Sequence, residues 1–323
     1  MLEYFSSLNP AALLRSCPGG LAQGLIWGIM ALGVYLTFRM LNLSDLTVDG
    51  SFATGGAVTI MLVLQGWDAN LALVIAFVAG IAAGLITGFL HTRLGIPAIL
   101  AGILTQISLY SINLNIMGRA NQAVNVMKVS FIFTSNATYL TRTILITAVV
   151  CAVVIAILYW YLGTEHGSAM RATGTNPNMA RAQSINTDRM KVIGLAIGNG
   201  MVALSGGLLS QYQGFADVNM GRGAIVIGLA AVIIGEVLAQ AFFGKKLSFW
   251  VSLVFVVLGS IVYYIVYVVV LWLKFPADDM KLLTAVVVAA FLAVPYLKAQ
   301  RKSSFAHLAK VNAKTAKEGK TNA

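Results

Sequence analysis

The stretch Gly163–Lys191, GTEHGSAMRATGTNPNMARAQSINTDRMK, is the one long, strongly polar interval inside a chain that otherwise alternates apolar blocks with short loops. A connection between two apolar spans needs only a few residues, so 29 residues carrying helix signals of their own predict a small docking element on a membrane surface. Asn176 reads as an N-cap and Pro177 fits the first helical position, where its missing N–H costs nothing. Met179 to Ser184 are adequate helix residues, and Thr187 or Asp188 then caps a helix that enters the membrane through Met190, Val192 and Ile193. Arg171, Arg181, Arg189 and Lys191 assign the stretch to the cytoplasmic side, because short loops rich in Lys and Arg are retained there. The plain alternative is a solvated charged loop.

Composition sets the class. With 323 residues, 59% hydrophobic, 10% charged and a mean hydropathy of +0.84, the chain is too apolar to keep a soluble surface. The fold class is therefore all-α, a polytopic membrane protein of about nine transmembrane helices with a short cytoplasmic helix in the polar stretch. A net charge of +11 raises nucleic acid as a partner, but the basic residues gather in loops and tail without interleaved aromatics, which argues for membrane topology instead. Cys17 and Cys151 alone make neither a disulfide framework nor a metal site.

The expected spans are 21–38, 50–65, 71–90, 96–117, 143–162, 192–212, 223–243, 247–273 and 282–297. They define a transmembrane domain over 19–297, preceded by an interfacial segment at 1–18 and followed by a basic cytoplasmic tail at 298–323. This topology puts fifteen Lys and Arg on the side of the polar stretch and seven on the other, with the N-terminus out and the C-terminus in. The second span is short, and the LNLSDLTVDG before it either starts a helix inside protein or enters as irregular backbone lining a cavity. Small-residue rows such as Gly80 and Gly84, Gly84 and Gly88, and Gly194 and Gly198 read as close helix packing. The segment 118–141 reads as a loop and a candidate partner surface.

Polar residues within spans are costly in lipid and face a bundle interior. Ser108, Ser111 and Asn115 share one face of the fourth span, flanked by Tyr110 and Asn113, and either line a path or bond neighbouring helices. Asn199 in the sixth span carries the same two readings. Asp45, Thr47, Asp49, Ser51 and Thr54 form the densest polar set beside a helix break and are the preferred cavity lining, against a helix start capped by Asp49 or Ser51. Glu236 is the one acidic residue well inside a long span, with no Lys, Arg or His in another expected span to form a charge relay. No HExxH, Cys/His cluster or phosphate-binding GxxxxGK[ST] occurs, so the chain is not expected to be an enzyme.

RATGTNPNMARAQSINTDRMK with the following GLAIGNGMVALSGGLLSQYQG resembles the coupling segment and next helix of bacterial ABC importer permeases of the branched-chain amino acid and ribose type. LNLSDLTVDGSFATGGA resembles the glycine-rich second-helix segment of the same family. QYQGFADVNMGRGAIVIGLAAVIIGE is similar to the branch belonging to tryptophan/tyrosine transport systems. One departure is Ser184, where the ribose-type pattern has Gly before Ile-Asn. The resemblance implies a permease homodimer in the bacterial cytoplasmic membrane, a cytoplasmic ABC ATPase dimer and an extracytoplasmic solute-binding protein. It further implies no cofactor on this chain, with ATP and Mg held by the ATPase. Thr175, Asn176, Pro177, Asn178, Met179, Ala180 and Arg181 would then seat in the ATPase, and the solute would be an amino acid, aromatic by preference. The alternatives are a sugar or nucleoside as solute, or a stand-alone secondary transporter using Glu236.

Overall fold

In a bilayer no water satisfies backbone polar groups, so each apolar block closes its hydrogen bonds internally as a helix. The computed structural model describes residues 10–124, 133, 139–244 and 248–273, with seven positions between 282 and 293. Helix α1 (Pro10–Val34) continues into a π-helical stretch, Tyr35–Met40. It is followed by α2 (Thr47–Leu64), α3 (Ala69–Thr92), α4 (Ala98–Met117), strand β1 (Asn121–Ala123) and α5 (Leu140–Gly163). Then come α6 (Glu165–Thr175), α7 (Pro177–Ala182), α8 (Thr187–Gln213), strand β2 (Phe215–Asp217), α9 (Ala224–Phe243) and α10 (Phe249–Trp272). Among the described residues eight helices are long and apolar enough to cross a membrane. The expected ninth span lies largely outside the described residues, and the tail at 298–323 entirely so. The chain divides into two compact units, Met1–Phe275 and Pro276–Ala323, and the described positions of the second are helical.

Helix α8 is the axis of the first unit, buried along most of its length with α1, α2 and α3 packed around it. Glycine makes these contacts close. A Cβ on Gly55 of α2 would overlap the Ala203 carbonyl of α8, and one on Gly206 would overlap the Phe52 carbonyl of α2. The expected small-residue row of α3 does the same against α8, with Gly80 facing Asn199, Gly84 facing Leu195 and Gly88 facing Val192. On the outside, Leu145, Val149, Val153, Ile157 and Trp160 of α5 form an exposed apolar stripe at helical spacing, as a lipid-facing helix requires.

Four expectations change. Residues 10–18 do not form a separate interfacial segment but begin α1, which runs unbroken through Pro18. The ring supplies a helical φ at the cost of one bond to a carbonyl in an exposed turn, where Leu14 is exposed. Helix α2 starts at Thr47 rather than Gly50, and neither Asp49 nor Ser51 caps it. Instead Asp45 Oδ1 accepts from Thr47 N at 2.9 Å. The 118–141 connection is not all loop: β1 pairs antiparallel with β2, Asn121 opposite Asp217 and Ala123 opposite Phe215. Much of the rest of that connection, 125–132 and 134–138, lies outside the described residues. Finally, Glu236 has a basic partner. The π-helical winding carries α1 on to Met40, and Arg39 Nε lies 2.7 Å from Glu236 Oε1.

Candidate functional site

The segment 41–46 is irregular backbone between two buried helices, with Asn42 at φ 54. Its polar groups find partners from three directions. Asn199 Nδ2 of α8 donates to Asp45 Oδ2 at 2.6 Å and to the Leu195 carbonyl at 3.0 Å, and Ser51 Oγ donates to Asn199 Oδ1 at 2.7 Å. Thr47 Oγ1 lies 2.7 Å from Thr87 Oγ1 of α3, which donates to Thr105 Oγ1 of α4 at 2.9 Å. Asp45, Thr47, Ser51 and Asn199 are at most 3% exposed, so these residues bond one another inside the unit. Thr87 and Thr105 joined the set without any signal in the sequence.

Asp49 has a different task. Its carboxylate accepts from Gly223 N and Ile225 N, each at 2.9 Å, and so caps α9, where negative charge is favoured. Thr54 bonds locally to the Gly50 carbonyl at 2.9 Å. Ser108, Ser111 and Asn115 lie together on the exposed face of α4, Ser108 bonding back to the Leu104 carbonyl. Asn113, one turn along, points inward: it is fully buried, and neither of its amide atoms has a partner.

The 163–191 stretch folds as two helices rather than one. Thr164 caps α6, accepting from Gly167 N, a helix the sequence reading lacked. Gly174 near its end lies against the Met40 carbonyl, where a Cβ would overlap. Asn176 caps α7 by accepting from Met179 N at 3.1 Å, with Pro177 in the first position as expected. The next cap is Asn186, accepting from Arg189 N at 3.0 Å, rather than Thr187 or Asp188. Thr187 is buried and instead accepts from Arg181 Nε at 2.9 Å. Thr175, Asn176, Pro177, Asn178, Met179 and Arg181 are exposed, Met179 at 64%, while Ala180 is buried and anchors the helix.

Ser184 closes α7. Ser184 N donates to the Arg181 carbonyl and Ile185 N to the Ala180 carbonyl, a Schellman ending with Ser184 at φ 62. A non-glycine residue pays for that conformation, so Ser184→Gly should raise stability by about 0.5 kcal/mol with no change in fold. A thermal melt of the purified protein checks this; a lower midpoint would contradict the assigned backbone.

Among the described residues no three His, Cys, Asp or Glu side chains gather as a metal ion would need. What the arrangement offers is a rigid helical block, an exposed capped helix at one end and a mixed polar face on α4. Residues 17–294 match the family of branched-chain amino acid transport system permease components. The chain belongs to this family.

This permease is 36% identical to a tyrosine transport system permease protein of Clostridioides difficile, over 91% of this chain and 96% of the relative. It is 28% identical to the autoinducer 2 import system permease protein LsrC of Yersinia pestis, over 73% of this chain and 64% of that one. PsaBC from Streptococcus pneumoniae, solved in complex with Fab, shares the fold at a TM-score of 0.50 and 13% identity, over 91% and 94% of the two chains. The permease is thus a multi-pass transporter subunit, the membrane component of an ABC importer.

Proposed function

We propose that this permease carries an amino acid, an aromatic one by preference, as one of two identical membrane subunits driven by a cytoplasmic ATPase dimer. An extracytoplasmic solute-binding protein delivers the solute. ATP and Mg are held by the ATPase, so hydrolysis resides outside this chain. The likeness to a tyrosine transport permease over nearly all of both chains supports the solute class. The surplus of Lys and Arg at 163–191 and in the tail supports an inward-facing handle and C-terminus, with the N-terminus out.

The observation that carries the reading is α7, a two-turn helix capped at both ends and presented outward on a packed base. Its exposed Met179 and polar neighbours fit a groove in a partner protein, and Ala180 and Gly174 fix it to the spans behind. The outward face of α4 supports the second copy: Ser108, Ser111 and Asn115 are exposed there, which lipid disfavours and a wet path between two copies satisfies. The Arg39–Glu236 pair gives Glu236 a fixed basic partner, which favours a structural role over that of a proton site in a stand-alone transporter.

The test is reconstitution with an ABC ATPase and a solute-binding protein from the same organism. Wild-type vesicles should take up tyrosine only with ATP inside the ATPase compartment. Met179→Asp places an unpaired charge in the docking contact and should weaken ATPase capture by about 30-fold, roughly 2 kcal/mol, with uptake lost and membrane insertion unchanged. Undiminished co-purification and stimulated hydrolysis in that variant would refute the docking role.

A further inference from the structure

A pocket of about 250 Å³ opens between the first turns of α2, one side of α4 and the turn that leads into α9. Its polar lining is Asp49, Gln106, Tyr110, Asn113 and Arg222. Three features point to a ligand. Asn113 is fully buried with both amide atoms unpartnered, an expensive state for a side chain that offers a donor and an acceptor together. Arg222 is exposed, lies over the Tyr110 ring with its guanidinium carbon 6.0 Å from the centroid, and has no ion-pair partner among the described residues. Asp49 supplies a carboxylate to the same space while its oxygens hold the head of α9.

One cation and one anion on a single small pocket match the carboxylate and ammonium of an α-amino acid zwitterion; a sugar or a nucleoside uses neither. Ala53, Ile107 and Val218 provide apolar wall for a side chain. The volume is just below the usual range of ligand pockets, roughly 300 to 1,000 Å³, and leaves room for nothing larger than a single amino acid. Asn113, donor and acceptor at once, matches a side-chain hydroxyl, which has the same dual character, and not a bare phenyl ring.

We propose that this pocket is a transit site within the permease itself, where Arg222 takes the carboxylate of an amino acid, Asp49 its ammonium and Asn113 a side-chain hydroxyl. The inference rests on the amino-acid reading above and deepens it: specificity for a hydroxylated aromatic side chain is set here as well as in the solute-binding protein.

The experiment uses the reconstituted importer with L-tyrosine and L-phenylalanine as probes, presented in competition. Asn113→Leu keeps the shape and removes the unsatisfied amide. It should raise the melting temperature of the permease, lower tyrosine uptake about tenfold or more and raise phenylalanine uptake above wild type, because a site built around a hydroxyl rejects what lacks one only while its polar partner is present. Arg222→Gln, at an exposed position, should lower uptake of both amino acids by a similar factor. It serves as the test if the buried variant fails to fold. Wild-type rates and an unchanged tyrosine preference in the folded variants would overturn the transit site while leaving the permease reading intact. Wild-type vesicles that carry neither amino acid would overturn both.

Discussion

Gly55→Ala should eliminate folded permease from the membrane. The added methyl would overlap the carbonyl oxygen of Ala203, with the carbonyl carbon and Cα of the same residue close behind. All three are backbone atoms, so no rotamer change relieves the overlap and α2 must move off α8. That movement would also open the contact of Gly206 with the Phe52 backbone and of Gly207 with Thr59. Overpacking commonly costs about 1–3 kcal/mol when side chains can yield. Here the obstacle cannot yield and a long seam opens with it, so the expected result is aggregation on detergent extraction. Gly163→Ala is the control, since nothing lies within 4 Å of its Cβ position. Size-exclusion profiles of the two variants decide the matter. A monodisperse Gly55→Ala protein melting with wild type would show that this seam is looser than described.

The second large effect is expected at Asn199, which joins Asp45 to Ser51 in the interior. Asn199→Leu removes a donor from a buried carboxylate and an acceptor from a buried hydroxyl. A hydrogen bond to a charged group is worth about 1.5–3 kcal/mol, and the stranded partner adds its own desolvation penalty. A loss of about 3 kcal/mol, lowering the melting midpoint by roughly 4–5 °C, follows for a chain of this size. Replacing both partners is gentler than replacing one, so Asp45→Leu combined with Asn199→Leu should recover part of the loss. Strictly additive losses in that cycle would mean that the two side chains do not share a bond.

The same pair shows where sequence reading ends. Asn176 and Pro177 were legible because a cap is a local device, satisfied within three residues of itself. The glycine rows of α3 were legible because periodicity announces a face. Asp45 and Ser51 stand 154 and 148 positions from Asn199, and nothing local says that they meet. Their density near a helix break suggested a cavity lining, whereas in the fold they are company for one another. Helix α6 escaped because EHGSAMRATGT is polar and carries two glycines, and what holds it is Gly167 against Leu162 and Gly174 against Met40. Strands β1 and β2 are three residues each and nearly a hundred apart, too short for alternation to register. Asn186 lost to its neighbours on paper because Thr187 and Asp188 are equally good caps; burial of Thr187 makes the choice. For the pocket, Asn113 was visible as a polar residue in a span, but its lack of a partner is a property of the packed structure alone.

The glycine seams divide the molecule into gears and sleeves. Where carbonyl meets Cα, as between α2, α3 and α8, the surfaces mesh tooth to tooth and cannot slip by fractions of a turn. Along the largely exposed α5 no glycine meshes in this way, and the helix meets α1 through a side chain, Cys151 Sγ donating to the Leu25 carbonyl at 3.2 Å. The 163–191 stretch touches this part through Gly174, which bears on Met40; Gly194 of α8 bears on Leu41 at the start of the irregular segment that leads into α2, and Asp49 of α2 holds the head of α9. Under the proposed coupling, a push on α7 therefore has a contact path that runs by way of Met40 and the 41–46 segment to α2, and through the Asp49 carboxylate to the head of α9.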